Sequence, residues 1–464
     1  MTEAEPLEEL RREAASLTTE IVRLIGRRNS VAGRIGALKS NLSLPVDDEK
    51  VEDSLVRQVL DECDRSGVSR AAGLKVLSVL LSESKRVQGA VQPPAESPMS
   101  SFARAIQLQR QGRRSIIRLD VGEPDFAPPR SVLEACARAL FSFKTHYTLT
   151  RGIPELISEL RLYLSRKHGY DASEEELMVT PGGRFAVYSA IASIVKEGES
   201  AIVVEPSWPA YRQSLQHVGA RAVVIHTALE DSWEFPIEKL KESIKPNTRA
   251  IILSYPNNPT GKIITQSSFR EIVGVANDAG LTVISDEIYN DYAYRPCPTV
   301  LESGAEKFVL TASFSKTWAM TGFRIGYAVS SRELISRMLA LSSLMVTSVP
   351  EFIQYGAIEA LRAEAEVERN SRTMKERIDA ACAELDRLDS LLSYYRPDGA
   401  MYVFPQFSRS DMDSQRFSEE LLERGVSVTP GTAFGNYTKS FRISLCQPAE
   451  LLQKGIREIG RALS

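Results

Sequence analysis

The chain has 464 residues, 43% hydrophobic and 25% charged, the balance of a soluble globular protein long enough for more than one domain. Its formal net charge of −3 makes no electrostatic case for nucleic acid or an anionic membrane, and no run of about 18 apolar residues is present to span a bilayer. Five scattered cysteines without a Cys-x-x-Cys pair, and four histidines none of which is paired at metal-ligand spacing, argue against a disulfide framework and a metal centre and for reduced thiols in a cytoplasm.

The chain opens on MTEAEPLEELRRE, acidic and polar, unlike a secretory signal. Leu7, Leu10, Ala14, Leu17, Ile21, Leu24, Val31, Ile35 and Leu38 then recur at helical spacing with no proline among them. They predict one long amphipathic helix. Pro45 in LPVDD ends it and Asp47 is a good cap for a second helix, expected over about 49–64. Ser66-Gly67 closes that helix, and a third is expected over about 69–88. Residues 1–88 therefore read as an all-α three-helix domain whose first helix suits a coiled-coil-like dimer. GAVQPPAESPMS, residues 89–100, is small, polar and proline-rich, and reads as a linker.

From residue 101 the character changes. The strand candidates ELMVT, SAIVVEP, ARAVVIHT, RAIILSYP, LTVISDE and FVLTASF are interleaved with helical stretches such as RFAVYSAIASIVKEG and QSSFREIVGVANDAG. That alternation predicts an α/β domain with a mostly parallel sheet covered by helices. Ligands in such sheets bind at the carboxyl ends of the strands, which places PGG, PSW, NNPTG, DEIY and SFSK around one crevice.

The residue types at these strand ends match the needs of pyridoxal phosphate chemistry: an amine, a carboxylate for the ring nitrogen, donors for the ring oxygen and a phosphate cradle. Lys316 offers the amine and Asp286 the carboxylate; Tyr289 and Asn258 can donate to the ring oxygen. Ser313, Ser315 and Arg324 suit a phosphate dianion, and Gly183-Arg184 open a helix whose N–H groups can join them. Trp208 can stack on the ring. Taken one at a time, each has a plain alternative: a solvated lysine, a loop carboxylate, a turn. A Ser-x-x-Lys hydrolase fails because no Ser-Asp-Asn or Lys-Thr-Gly follows, and PTGKI lacks the P-loop spacing.

The motifs VGEPDF, YTLTRGIPEL, TPGGR, VEPSWPAY, YPNNPTG, SDEIY, SFSKTWAMTGFRIGY and FRIS, in that order, resemble the class I, fold-type I aminotransferases over nearly all of residues 100–464. The resemblance implies a large domain over about 145–330 with a mostly parallel sheet, and a small α+β domain from about 101–144 and 331–464. It implies pyridoxal 5′-phosphate as cofactor, joined covalently to Lys316, which later carries a proton between Cα and C4′. Asp286 would pair with the ring nitrogen, and Asn258 and Tyr289 with O3′. Ser313, Arg324 and the backbone of Gly183 and Arg184 would hold the phosphate. Tyr147 would reach the phosphate of a partner subunit, implying a homodimer. Arg442 would clamp the substrate carboxylate, with Gly122 lining that end.

The helical domain is similar to the small helical chorismate mutases over residues 5–88, through LEELRRE, LIGRRNSVAGRIGALK, PVDDEKVE and LSESKRVQ. Their rearrangement of chorismate needs no acid, base or nucleophile, only compact binding of a dicarboxylate and stabilisation of a growing ether charge. By that resemblance Arg11 (acting in the partner's site) and Arg28 bind carboxylates, and Lys39 and Gln88 face the ether oxygen. Glu52 and Asp48 hold the hydroxyl end, with Ser84 nearby. The family commonly has an arginine where this chain has Val51.

Together the two resemblances imply a bifunctional enzyme: chorismate to prephenate, then amino transfer from glutamate or aspartate to prephenate or an aromatic 2-oxo acid. One alternative is an aspartate aminotransferase with a merely regulatory or dimerising helical domain. Another is a transcription regulator, disfavoured because residues 1–90 carry 14 Lys+Arg against 15 Asp+Glu, a net −1, where a DNA reader should be basic.

Overall fold

A computed structural model of the chain describes residues 4–41, 49–88, 116–409 and 411–464. It divides into two compact units, Met1–Ala95 and Glu96–Ser464. The expected linker and the cap Asp47 lie outside the described residues.

The first unit holds α1 (Ala4–Asn41), α2 (Glu49–Ser66) and α3 (Arg70–Val87), within a few residues of the periodicity-based expectation. α3 packs against both other helices. Ala32, Cys63, Leu77 and Ser84 are buried among them. The apolar stripe that revealed α1 is not covered by its own unit: Leu10, Leu17, Ile21, Leu24, Val31, Ile35 and Leu38 are all exposed. Among the described residues, no helix is long and apolar enough to cross a membrane.

The second unit is built on a seven-stranded sheet: β1 (Leu177–Thr180), β2 (Ser200–Glu205), β3 (Arg221–His226), β4 (Thr248–Ser254), β5 (Thr282–Asp286), β6 (Phe308–Ser313) and β7 (Gly326–Ser330). The spatial order is β1-β7-β6-β5-β4-β2-β3. β7 runs antiparallel to both its neighbours, and the other pairings are parallel. β7 was not among the sequence candidates; its short GYAVS run follows the Lys316 loop without a turn cluster to announce it. Side chains alternate between two cores, as the two-residue strand period requires. Ile251, Leu253 and Val283 join one, and Ala250, Ile252 and Ile284 join the other.

A third core gathers Leu119, Met374, Ile378, Tyr402, Phe417, Phe441 and Ile456. It surrounds a three-stranded antiparallel sheet in which Phe441–Ser444 lies between Tyr402–Val403 and Thr429–Pro430. The strand Ile117–Arg118 pairs with Val426–Ser427, so the segment carrying VGEPDF is fastened to this lobe.

Candidate active sites

β6 delivers Lys316. Its last residue, Ser313, caps the short helix Phe314–Thr317 by accepting from the Ser315 N–H at 3.1 Å. Lys316 is half-buried, and its Nζ donates to the Gly122 carbonyl at 2.5 Å. Withdrawal from water pushes its pKa down to about 8; Arg442 and Arg324 push the same way, against Cys446 and Glu123.

β5 delivers Asp286. Its carboxylate accepts from Tyr211 Oη at 2.6 Å and from Thr311 Oγ1 at 3.4 Å. Burial raises its pKa to about 6, against the pull of those donors and the Ile288 N–H. Among the described residues no cation pairs with it. A buried carboxylate without a counter-charge fits a protonated pyridine nitrogen.

The loop after β1 meets the start of β7. Gly182, at φ +88°, caps the helix Gly183–Ile194. A Cβ on Gly182 would meet Arg324 Nη2 at 2.7 Å, and one on Gly183 would meet Ser313 Cβ at 3.1 Å. Gly326 approaches as closely, for its Cβ would lie 3.0 Å from the Gly183 nitrogen. The three glycines thus bring a helix N-terminus, the Ser313–Ser315 hydroxyl pair (3.0 Å) and the exposed Arg324 guanidinium together. That donor set suits a phosphate dianion. Beside it the Arg184 guanidinium lies over Trp208, 4.6 Å from the ring centroid.

Arg442, on Phe441–Ser444, is buried. Nη1 donates to Asn258 Oδ1 at 2.9 Å; Nη2 donates to the Asp120 carbonyl and to Thr429 Oγ1 at 3.3 Å. The guanidinium lies between Tyr402 and Phe434, 4.4 and 4.9 Å from their centroids. Its Nε is buried without a hydrogen-bond partner among the described residues. A buried cation with an unspent donor fits an anionic ligand such as a carboxylate. Tyr289 is buried and shares a 2.8 Å hydrogen bond with Tyr402 Oη. Tyr147 stands apart, 88% exposed.

In the helical unit the Arg28 Nη1 donates to the Leu80 carbonyl at 2.6 Å and to Ser84 Oγ. Gln88 packs where α1 has Gly36, whose Cβ would lie 2.7 Å from Gln88 Cα. The Gln88 Oε1 is buried without a partner among the described residues. Lys39 and Glu52 are half-buried on α1 and α2. Arg11 is exposed, paired with Glu8 at 2.8 Å. It precedes Arg28 on the same helix by roughly 25 Å of rise, so it cannot join Arg28 within one protomer. Asp48 lies outside the described residues.

The sequence profile described as aminotransferase class I and II matches residues 114–459, and that of chorismate mutase type II matches residues 10–89. The chain belongs to the class I and II aminotransferases and carries a type II chorismate mutase unit. An aspartate aminotransferase of Pyrococcus horikoshii is 34% identical over 78% of this chain and 93% of its own length. An aspartate/prephenate aminotransferase of Thermus thermophilus is 35% identical over 82% and 99%. The structure of the Thermus thermophilus aspartate aminotransferase with maleate superposes with a TM-score of 0.76 at 34% identity, covering 82% of this chain and 99% of that one.

This aminotransferase is therefore a bifunctional enzyme that depends on pyridoxal 5′-phosphate. Contacts link Lys316 to Gly122, Tyr289 through Tyr402 to Arg442 and Asn258, Asp286 through Tyr211 to Trp208 and Arg184, and Ser313 to Gly183; Tyr147 shares none of them. Reasoning from sequence missed Tyr211, Tyr402, Thr429 and Phe434. For Tyr211 and Tyr402 the one available signal was a tyrosine hydroxyl that must find a partner when buried.

Proposed function

We propose that the chain converts chorismate to prephenate and then aminates prephenate, or an aromatic 2-oxo acid derived from it, with glutamate or aspartate as donor. The working form is a cytoplasmic homodimer. The observation that carries the reading is the presence, in one chain, of the Arg28–Ser84–Gln88 cluster and the Lys316 crevice: the first chemistry yields a 2-oxo acid of the kind the second accepts. A Thermus thermophilus relative is named for both aspartate and prephenate.

In the mutase unit Arg28 and, from the partner, Arg11 hold the two carboxylates. Lys39 and Gln88 face the growing charge on the ether oxygen, with Glu52 and Asp48 at the hydroxyl end and Ser84 orienting Arg28. In the larger unit Asp286, Tyr289 and the Ser313–Ser315–Arg324 cradle would hold the coenzyme, which would supply an electron sink for chemistry at the substrate Cα. Arg442, aimed by Asn258 and backed by Tyr402, fixes the α-carboxylate and so orients the Cα–H. Lys316, whose pKa burial has already lowered, takes that proton near neutral pH. Arg184, whose guanidinium lies over Trp208, meets a second carboxylate in this reading. Exposed Tyr147 and the bare apolar stripe of α1 support the homodimer.

The test is one incubation of purified protein with chorismate and glutamate, products identified by mass spectrometry. Aminated prephenate or an aromatic amino acid is expected. Amination of oxaloacetate alone would overturn the acceptor assignment.

A further inference from the structure

Lys316 sits in a helix of four residues, too short to fix its own geometry. Ser313 anchors its start. Its far end is held by the turn Asn290–Tyr292, which follows Tyr289 directly. Tyr292 Oη donates to the Lys316 carbonyl at 3.1 Å. Thr317 Oγ1 donates to Asp291 Oδ2 at 2.8 Å. The other Asp291 oxygen pairs with Lys167 Nζ, which also donates to Tyr163 Oη at 2.8 Å. Lys167 comes from the last turn of the helix Pro154–His168.

This ion pair is partly withdrawn from water, with Lys167 30% and Asp291 14% exposed. It is shielded better than a surface pair, and a carboxylate held at one oxygen by an ammonium offers the other in a fixed direction. Thr317 is buried. A cavity of about 20 Å³ lies against Lys167, Asp291, Thr317 and Trp318, room for about one water. Without its hydrogen bond the Thr317 segment would thus have space to shift.

We propose that Asp291, fixed by Lys167, is the positioning residue for Lys316 and acts through the Thr317 hydroxyl. The turn that presents Tyr289 to the coenzyme ring also sets the lysine that must reach it, so amine and ring keep one spacing. The proposal rests on the aminotransferase assignment and not on the choice of acceptor, so its test uses the glutamate half-reaction alone.

Thr317→Val removes the hydroxyl at nearly constant volume, and Thr317→Ser keeps it. Two rates are read: the growth of absorbance as coenzyme-free protein bonds pyridoxal 5′-phosphate at Lys316, and single turnover with Cα-protiated and Cα-deuterated glutamate. Thr317→Val is expected to slow both roughly tenfold, for a shift of a few tenths of an ångström in the amine. Its deuterium isotope effect should rise and its coenzyme affinity should stay within about twofold of the parent, with Thr317→Ser restoring both rates. Asp291→Ala should reproduce the loss. Unchanged rates in Thr317→Val would overturn the proposal. So would a fall in coenzyme affinity as large as the fall in rate, which marks a merely structural role.

Discussion

Gly122 is the point where the VGEPDF segment crosses Tyr402. A Cβ there would lie 2.6 Å from Tyr402 Cε1 and closer still to Cζ and Oη. Ordinary contact needs about 3.5 Å, so Gly122→Ala demands a displacement of more than about 1 Å. Tyr402 is badly placed to yield: it is 2% exposed, its hydroxyl is bonded to Tyr289 and its ring carries the Arg442 guanidinium. The segment must move instead, and it carries the Gly122 carbonyl that receives Lys316 and the Asp120 carbonyl that receives Arg442. Farther along, Asp125 is clamped by Arg377 at 2.7 and 3.0 Å, so the strain concentrates near residue 122. A misplacement of about 1 Å costs on the order of 100-fold in rate, or about 2.7 kcal/mol of transition-state stabilisation. Stopped-flow single turnover with glutamate should show kcat/KM lower by that factor or more. Coenzyme affinity should fall far less, because the phosphate cradle is built from other loops. Adding Tyr402→Phe removes the hydroxyl but leaves the clash with the ring carbons, so it should restore only part of the loss. A kcat/KM for Gly122→Ala within about threefold of the parent would refute the reasoning, since the close crossing would then not be coupled to Lys316 and Arg442.

Burial raises the Asp286 carboxyl from 3.8 to about 6, so its contribution to stability is complete below the lower value and is lost as pH rises through the upper one. Coenzyme-free Asp286→Asn should therefore gain in Tm over the parent at about pH 7–8 relative to about pH 4; a difference independent of pH in thermal melts would contradict this. Gly36→Ala drives a Cβ to 2.7 Å from the Gln88 backbone, so chorismate consumption should fall about tenfold or more while the glutamate half-reaction is unchanged. Val51 is 53% exposed on α2, at the position where the resemblance to the helical chorismate mutases implies an arginine. Val51→Arg should raise chorismate kcat/KM, and no gain in initial-rate assays would mean that another cation already fills that role.

Much of the larger site was legible because its residues sit where strands end. PGG, NNPTG, DEIY and SFSK each follow an apolar run, and the sheet brings those ends to one edge. What stayed hidden acts through tertiary contact alone. Tyr211 is the second residue of the helix Ala210–His217 and reaches Asp286 across 75 residues of sequence. Thr429 meets Arg442 through a three-stranded sheet whose strands are two to four residues long, too short for a periodicity signal, and Phe434 meets it from the turn Gly431–Phe434 that follows. Lys167 and Asp291 read as ordinary surface charges until the fold places them together. The helical unit shows the converse: the apolar period of α1, with the Pro45 stop and the Ser66-Gly67 break, revealed all three helices, yet the stripe that defined α1 is exposed, so an apolar period did not by itself identify the covering partner.

The two active sites share a construction that explains why their glycines matter more than the sequence pattern implied. At Gly36 the chain of α1 lies against Gln88; at Gly122 a segment crosses Tyr402; at Gly182 a turn lies against the Arg324 guanidinium. In each place a polar side chain from one element is brought to the bare backbone of another, which a Cβ would prevent. Close approach shortens the reach that a long side chain must span, and so cuts the conformations it can adopt before substrate arrives. Among the described residues, Gln88 Oε1 and Arg442 Nε have no partner, a cost that a structure tolerates when a ligand can relieve it. Arg442 Nε is thus a pre-organised donor that can take a carboxylate without rearranging, whereas Gln88 Oε1 is an acceptor that can take a ligand's hydroxyl proton, so each site holds one polar atom ready before substrate arrives.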